Sequence, residues 1–240
     1  MTYVDGFILA VPADNKEEYR RFAERMWPLF EESGVRRHYE AWEDDVPDGK
    51  LTDFRKAVQA KEGERIVFSW FEYPDRDVRE AAMAKIMSDP RGQEMSANMP
   101  FDGKRMIFGG FQGFVDEGDK AGGYADGIIS AVPEGNRDAY AAQAQKMADI
   151  FIEYGATRVT ENWGDDIKDG KVTDFRRAVL AEEGEKVVFS FLEWPSKEVR
   201  DEAWGKIMAD ERMKPEGEPP FDGKRMFWGG FTPILDKHAN

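Results

Sequence analysis

The sequence lacks cysteine, has only two histidines among its 240 residues, and contains no apolar run of the roughly 18 residues needed to span a bilayer. The absence of cysteine excludes thiol nucleophiles, thiolate zinc sites, iron–sulfur clusters and disulfides. His38 and His238 are too few and too widely spaced for the usual zinc or haem ligand patterns. The start of the chain lacks the basic segment of a signal peptide. We therefore expect a cytoplasmic protein with no metal and no cofactor.

Basic residues are in the minority, with 34 Lys and Arg against 48 Asp and Glu, which gives a net charge of −14. Such a surface repels phosphate, so we expect no nucleic-acid partner, and we expect no membrane partner either. The chain also lacks the G-x-x-x-x-G-K-[ST], G-x-G-x-x-G and G-x-S-x-G patterns. Their absence argues against a glycine-rich phosphate loop and against a serine hydrolase.

What the sequence does contain is an internal repeat. Residues 3–91 align with 124–212 with 45 identities over 89 positions, and 101–111 align with 221–231 with 9 identities over 11. This repeat is far longer than those of solenoid proteins and indicates duplication of a whole domain. We predict a first repeat over residues 1–117, a linker over 118–123 and a second repeat over 124–236.

The same order of elements is predicted twice. An apolar strand ends at a proline, and a helix follows, capped by Asp14 or Asn15 and closed by Gly34. A second helix carries Val78, Ala82 and Ile86 on one face. The predicted strands of the first repeat are Tyr3–Val11, Val35–Glu43, Arg65–Tyr73 and Arg105–Val115, and those of the second are 124–132, 156–164, 186–194 and 225–235. The order βαββαβ is that of a ferredoxin-like unit.

The fold class follows from the third strand, Arg65–Tyr73, which is apolar on both faces. Helices cover only one face of a ferredoxin-like sheet, so the other face needs a cover, and the second repeat supplies a nearly identical sheet. We therefore predict an α+β fold in which two ferredoxin-like repeats form an intramolecular eight-stranded barrel with pseudo-two-fold symmetry. A barrel of this size is filled by side chains or holds one small ligand.

Three motifs together resemble the YbaA-like family of uncharacterised bacterial proteins in the dimeric α+β-barrel superfamily. They are D-G-K-x-T-D-F-R, E-x-x-V-F-S-x-x-E-x-P and P-F-D-G-K-R-M-x-x-G-G-F, and each occurs in both repeats. The resemblance implies a barrel built by dimerisation of single units, so two units in one chain imply an internal pseudo-dimer, with further dimerisation left open. It brings no established activity. The wider superfamily includes cofactor-independent monooxygenases, isomerases, haem enzymes and stress-related binders, and fold alone does not choose among them.

The densest polar segment runs from Glu40 to Arg55. Neighbouring carboxylates are suited to binding a hard cation or to acid–base catalysis. A calcium loop is excluded because Val46 and Arg55 would stand where the loop requires acids. We favour a structural interpretation, in which Asp-Gly forms a turn, Thr-Asp caps a short helix and Arg55 pairs with a carboxylate. The candidate binding residues are Trp42, Asp44, Asp45 and Arg55, with their copies Trp163, Asp165, Asp166 and Arg176.

A second cluster contains Arg105 and the pair Gly109-Gly110. Glycines inside a strand indicate a close approach of the backbone, here to a helix or to a ligand. Arg105 and its copy Arg225 are suited to binding a carboxylate ligand, but we favour pairing with an acid such as Asp53 or Asp174.

Three functions remain open. The first is a binder of small molecules, and the second is a cofactor-independent monooxygenase or isomerase acting on a small apolar or aromatic compound inside the barrel. Whether the protein is an enzyme is left undecided. The candidate catalytic residues are Glu40, Asp53 and Arg105, with their copies Glu161, Asp174 and Arg225. The third is a protein-interaction module that associates through an exposed sheet edge.

Overall fold

The computed structural model describes residues 2–118, 122–214 and 217–239. The first repeat consists of β1 (Tyr3–Pro12), α1 (Lys16–Ser33), β2 (Arg37–Asp45), α2 (Phe54–Ala57), β3 (Glu64–Tyr73), α3 (Arg76–Ser88), α4 (Pro90–Ala97) and β4 (Ile107–Gly118). The second consists of β5 (Tyr124–Pro133), α5 (Arg137–Glu153), β6 (Arg158–Asp166), α6 (Phe175–Ala178), β7 (Glu185–Trp194), α7 (Lys197–Ile207) and β8 (Phe227–His238). The predicted order of strands and long helices is confirmed in both halves.

Details at the helix ends differ from the prediction. Gly34 closes α1 in the left-handed conformation, at φ 107°, as predicted. Asn15 precedes α1, but its side chain makes no capping bond and instead donates to the Pro100 carbonyl at 3.1 Å. Helix α4 was not predicted, although its start has a clear signal: Pro90 at the first position follows Asp89, whose carboxylate accepts from the Arg91 amide.

The eight strands form one closed barrel in the order β1-β3-β2-β8-β5-β7-β6-β4. Within each repeat the order is that of a ferredoxin-like sheet. The two sheets are joined through β2–β8 and β4–β6, which are related by the pseudo-two-fold axis. The predicted barrel is confirmed. Each strand pairs with a neighbour on both sides, so these pairings leave no edge for the interaction module envisaged from the sequence.

Aromatic side chains fill the inside of the barrel. Phe68 stacks on Phe189 of the other repeat at 4.8 Å between ring centroids, and Trp70 stacks on Phe191 at 4.0 Å. Gly6 is required here, because an added Cβ would lie 2.6 Å from the Phe189 ring. The interior of the barrel is therefore filled by side chains, which is the first of the two alternatives that the sequence left open.

One end of the barrel is closed by buried charges. The Arg37 guanidinium binds Glu193 of the other repeat with two contacts of 2.6 Å, and Arg158 binds Glu72 at 2.7 and 3.2 Å. These four side chains are at most 1% exposed. Each Glu is thus paired with an Arg from the opposite half, and these ion pairs join the two halves at this end of the barrel.

The other end is closed by α2 and α6. Phe54 packs edge-on against Phe227 and Phe231, and Phe175 packs in the same way against Phe111. Thr52 donates to the Ala178 carbonyl of the second repeat, and Thr173 donates to the Ala57 carbonyl of the first. The T-D-F-R motif therefore plugs the barrel by packing one repeat against the other.

The predicted domain boundaries remain a prediction. Strand β4 extends to Gly118, the first residue of the predicted linker. Residues 119–121 of that linker lie outside the described residues.

Candidate functional site

A cavity of about 610 Å³ lies in the first repeat, between the outer face of the sheet and helices α1, α3 and α4. Its wall is largely apolar because helix and strand each turn their apolar face towards the other. The apolar lining includes Phe7, Leu9, Phe22, Met26, Phe71, Met83, Met87, Met95 and Phe108. A volume of this size suits a small organic ligand.

Three polar side chains form a buried chain at the wall of this cavity. Glu40 lies on β2, and its Oε2 accepts a hydrogen bond of 2.7 Å from the Tyr19 hydroxyl of α1. Its Oε1 lies 2.7 Å from Nε2 of His38, two residues earlier on the same strand face. All three side chains line the cavity, and none of the three residues is more than 5% exposed. An apolar pocket with a few converging polar groups is the usual form of a ligand site.

The donor and acceptor roles in this chain follow from the surroundings. Burial, and then the charge of Glu40, raise the pKa of Tyr19 well above its usual value, so its hydroxyl keeps the proton and donates. The ring of His38 is held edge-on by Phe71 at 4.6 Å and by Phe30 at 5.4 Å. Its Nδ1 is buried and has no hydrogen-bond partner among the described residues.

The equivalent place in the second repeat is built differently. Glu161 corresponds to Glu40 and accepts hydrogen bonds from Tyr140 and Ser190, but Val159 occupies the position of His38. Burial raises the pKa of Glu161 to about 7, although these two hydrogen bonds lower it. Trp204 occupies the position of Met83 and donates to Asp126 at 2.9 Å. The two repeats therefore share the carboxylate and the phenol but not the imidazole.

The acidic candidates of the β2 and β6 ends bind the opposite repeat. Asp44 accepts from the Tyr124 hydroxyl at 2.8 Å, and Asp45 binds Arg200 at 2.8 Å. Across the pseudo-two-fold axis the Tyr3 hydroxyl donates to Asp165 at 2.9 Å, and Arg79 binds Asp166 at 2.7 Å. These carboxylates form contacts between the halves and do not line the cavity.

The T-D-F-R candidates have the predicted structural contacts. Asp53 accepts from the Lys56 amide at 2.7 Å and so caps α2, and Asp174 accepts from the Arg177 amide at 2.8 Å and caps α6. Arg55 pairs with the Glu43 carboxylate. Its copy Arg176 donates to the carbonyls of Glu182 and Glu185.

The arginine of the second motif has a different partner from the one predicted. Arg105 binds Glu64 with contacts of 2.6 and 2.8 Å and also Asp102, so pairing with Asp53 is wrong. The predicted pairing of Arg225 with Asp174 is also wrong, since Arg225 binds Glu185 and Asp222. Glu64 and Glu185 are the first residues of β3 and β7, and each lies about 40 residues before its arginine, so the pattern of a single strand does not indicate the pairing.

The glycine pair approaches the wall of the barrel. An added Cβ at Gly110 would lie 2.4 Å from the Tyr3 hydroxyl oxygen, and one at Gly109 would lie 3.1 Å from Ile167. The close approach is therefore to a tyrosine at Gly110, and at Gly109 to Ile167 and to Phe175 of helix α6, which lies 3.4 Å from the added Cβ. The predicted approach to a helix is present at Gly109. The tryptophan candidates, Trp42 and Trp163, pack on the outer face of the sheet beneath Lys16 and Arg137.

Sequence reasoning thus named Glu40, which lines the cavity, but also named Asp53 and Arg105, which do not line it. The residue it missed is His38, which was considered only as a zinc or haem ligand. A signal was present in the sequence, since His38 and Glu40 are two residues apart on a strand and therefore share a face. Among the described residues, no three His, Asp or Glu side chains come together as a metal site.

A comparison with known families identifies the chain. The family model described as "Protein of unknown function (DUF1428)" matches residues 2–103 and 123–223. The chain belongs to this family. "Uncharacterized protein YbaA" of Escherichia coli K12 is 60% identical over 117 residues, which are 49% of this chain and 100% of that protein. The same values hold for the Shigella flexneri protein of that name. The resemblance inferred from the motifs is confirmed.

Solved structures resemble the whole chain in fold. A crystal structure from Lactobacillus acidophilus NCFM, described as a "putative monooxygenase", covers 100% of this chain and 97% of its own, with a TM-score of 0.60 and 8% identity. A second with that description, from Fusobacterium nucleatum, covers 99% and 94%, with a TM-score of 0.59 and 10% identity. At these identities the likeness shows the fold alone. No helix in the described part of the chain has the length and apolar character needed to cross a membrane.

Proposed function

We propose that the protein binds a small, largely apolar or aromatic molecule in the helix–sheet cavity of its first repeat. The single observation that carries the proposal is the buried Tyr19–Glu40–His38 chain in the wall of an otherwise apolar cavity of about 610 Å³. The second repeat keeps the glutamate and the tyrosine of this chain but has Val159 in place of the imidazole, so the fold does not require a histidine at this position. A binding role accounts for its presence.

The second repeat supports this assignment by contrast. At the position of Met83, which lines the cavity, it carries Trp204, whose ring packs 6.3 Å from Trp228. The indole is larger than the methionine side chain and is held by its hydrogen bond to Asp126. The first repeat therefore differs from the second at the cavity both in helix α4 and in the side chain at position 83.

The experiment uses naphthalene as an apolar aromatic probe, followed by its own fluorescence in equilibrium dialysis. We expect saturable binding with one site per chain. The Met83→Trp variant, which copies the second repeat, should fill the cavity and lose most of this binding. Met208→Trp is the control, because Met208 is the equivalent of Met87 in the second repeat and is 75% exposed. Absence of binding to the wild-type protein, or unchanged binding to Met83→Trp, would contradict the proposal.

A cofactor-independent enzyme, either a monooxygenase or an isomerase, is the second candidate. The observation that favours it is the contact of 2.7 Å between His38 and Glu40, because a carboxylate–imidazole pair is a common acid–base unit. Aromatic and enolisable compounds that displace naphthalene would be incubated with the protein in air and without oxygen. A product whose formation is abolished by Glu40→Gln and retained by Glu161→Gln would support an enzyme. Compounds recovered unchanged would leave binding as the function.

A further inference from the structure

We infer that His38 selects ligands that carry a hydroxyl donor, such as phenols and enols, by accepting a hydrogen bond at Nδ1. The inference rests on the proposed function, since it concerns the same cavity. It assigns a chemical class to the ligand and a recognition role to one atom. The observation behind it is that Nδ1 of His38, a residue of the cavity wall, is buried and has no hydrogen-bond partner among the described residues. Neighbouring side chains cover this atom, so a ligand hydroxyl reaches it by displacing them.

The tautomer of His38 follows from its neighbour. An ionised carboxylate only accepts hydrogen bonds. Glu40 accepts from Tyr19 through Oε2, so its contact of 2.7 Å with His38 through Oε1 requires the proton to be on Nε2. In a neutral imidazole the other nitrogen then carries a lone pair and no proton. Nδ1 of His38 is therefore an acceptor when the imidazole is neutral.

The orientation of this acceptor is fixed on several sides. Phe30 and Phe71 meet the imidazole edge-on, and Trp27 lies 6.3 Å from it. These rings offer no conventional donor at the observed contacts, and they hinder rotation of the imidazole away from Glu40. A buried acceptor without a partner costs free energy, and a ligand hydroxyl that reaches it removes that cost. The surrounding apolar wall suits the hydrocarbon part of the same ligand.

The ligand class follows from these requirements. The hydrocarbon part is apolar, and one hydroxyl group supplies the donor. A carboxylate ligand does not fit, because it has no proton to donate and would meet the charge of Glu40 nearby. The methyl ether of a phenol does not fit either, because it keeps the size of the phenol but loses the donor. The second repeat has Val159 in place of the imidazole and therefore lacks this selectivity.

The test compares 2-naphthol, 2-methoxynaphthalene, 2-naphthoate and naphthalene by equilibrium dialysis against the full chain. We expect 2-naphthol to bind at least about tenfold more tightly than the ether, as for sites built to bind a hydroxyl. The His38→Val variant copies the second repeat. It should bind 2-naphthol and the ether with equal affinity while still binding naphthalene, which shows that its cavity is intact. The readout is the ratio of the affinities for 2-naphthol and for the ether, because a general loss of structure would lower both affinities together.

The outcomes separate this inference from the proposed function. If none of the four compounds binds, the proposed function fails and the inference with it. If naphthalene and the ether bind but 2-naphthol binds no more tightly, the proposed function stands and the role of His38 is overturned. Preference for 2-naphthoate would also overturn it, because that ligand needs a cationic donor. A preference for 2-naphthol that persists in His38→Val would place the acceptor elsewhere and reject the assignment.

Discussion

Glu40 and Glu161 occupy equivalent positions in the two repeats, yet Glu40 contacts an imidazole at 2.7 Å while Glu161 has Val159 at the imidazole position. Both carboxylates also accept a hydrogen bond from a tyrosine of the preceding helix. The shared pair of glutamate and tyrosine belongs to the duplicated fold, and the histidine distinguishes the half that has the cavity.

Glu161 should make the stability of the protein depend on pH. Its pKa is raised by burial from 4.5 to about 7, so the folded state binds more protons than the unfolded state between these values. Stability is therefore lost as the pH rises through this window. A shift of this size corresponds to a loss of about 3 kcal/mol in the free energy of unfolding. The loss that is measured should be smaller, because part of Glu161 is exposed to solvent. Glu161→Gln should stabilise the protein more at pH 8 than at pH 5 in urea unfolding. Equal effects at the two pH values would contradict the raised pKa.

The Arg37–Glu193 pair should contribute strongly to stability. Replacing Arg37 by Ala leaves the buried carboxylate of Glu193 without its bidentate partner. Removing one member of a buried ion pair costs about 3–5 kcal/mol. The free energy of unfolding in guanidinium chloride measures this loss. Arg91→Ala is the control, because the Arg91–Glu32 pair is exposed and should change stability little. Similar values for the two variants would show that the buried network is not stabilising.

Gly110→Val should destabilise the barrel. The first added carbon would lie 2.4 Å from the Tyr3 hydroxyl oxygen, whose bond to Asp165 joins the two halves. Overpacking of this kind costs about 1–3 kcal/mol, and the lost hydrogen bond adds to it. Gly205→Ala is the matched control, because an added Cβ in α7 meets no atom within 4 Å and alanine favours a helix. Thermal unfolding should show a lower Tm for the first variant and an unchanged or higher Tm for the second.

The isolated first repeat, residues 1–118, should form a dimer if it is soluble. Alone, it would expose the inner face that carries Phe68 and Trp70 and the unpaired edges of β2 and β4. A second copy can cover this face through the same contacts, since the relative from Escherichia coli matches over a full length of 117 residues, about one repeat. Sedimentation velocity should give twice the mass of the segment. A well-folded monomer would contradict the conclusion that one repeat needs a second repeat to cover the inner face of its sheet.

The fold could be predicted because the duplication allowed every element to be interpreted twice. The apolar faces of strand β3 and of the helices are patterns within short segments, so the strands and helices could be predicted from each segment alone. The partners of Asp44 and Asp45 were out of reach, because Tyr124 and Arg200 are 80 and 155 residues away. Local patterns in the sequence do not determine such distant pairings.

The candidate site was only partly predictable for a related reason. Glu40 was a candidate because of its polar neighbourhood, but the cavity depends on how far α1, α3 and α4 stand from the sheet. That distance is set by side chains such as Met83, whose copy is Trp204, and by the unpredicted helix α4. His38 was not a candidate because a single histidine on a strand forms no ligand pattern, although its replacement by Val159 is a difference between the two halves.

The pseudo-two-fold symmetry of the barrel has a consequence for stoichiometry. When two identical subunits build such a barrel, every site occurs twice, and binding at one can alter the other. In this chain the covalent link frees the copies to diverge, and His38 stands in one of them alone. Occupancy of the proposed site should therefore follow a simple hyperbola at any protein concentration, with no cooperativity between equivalent sites and no dependence on subunit exchange.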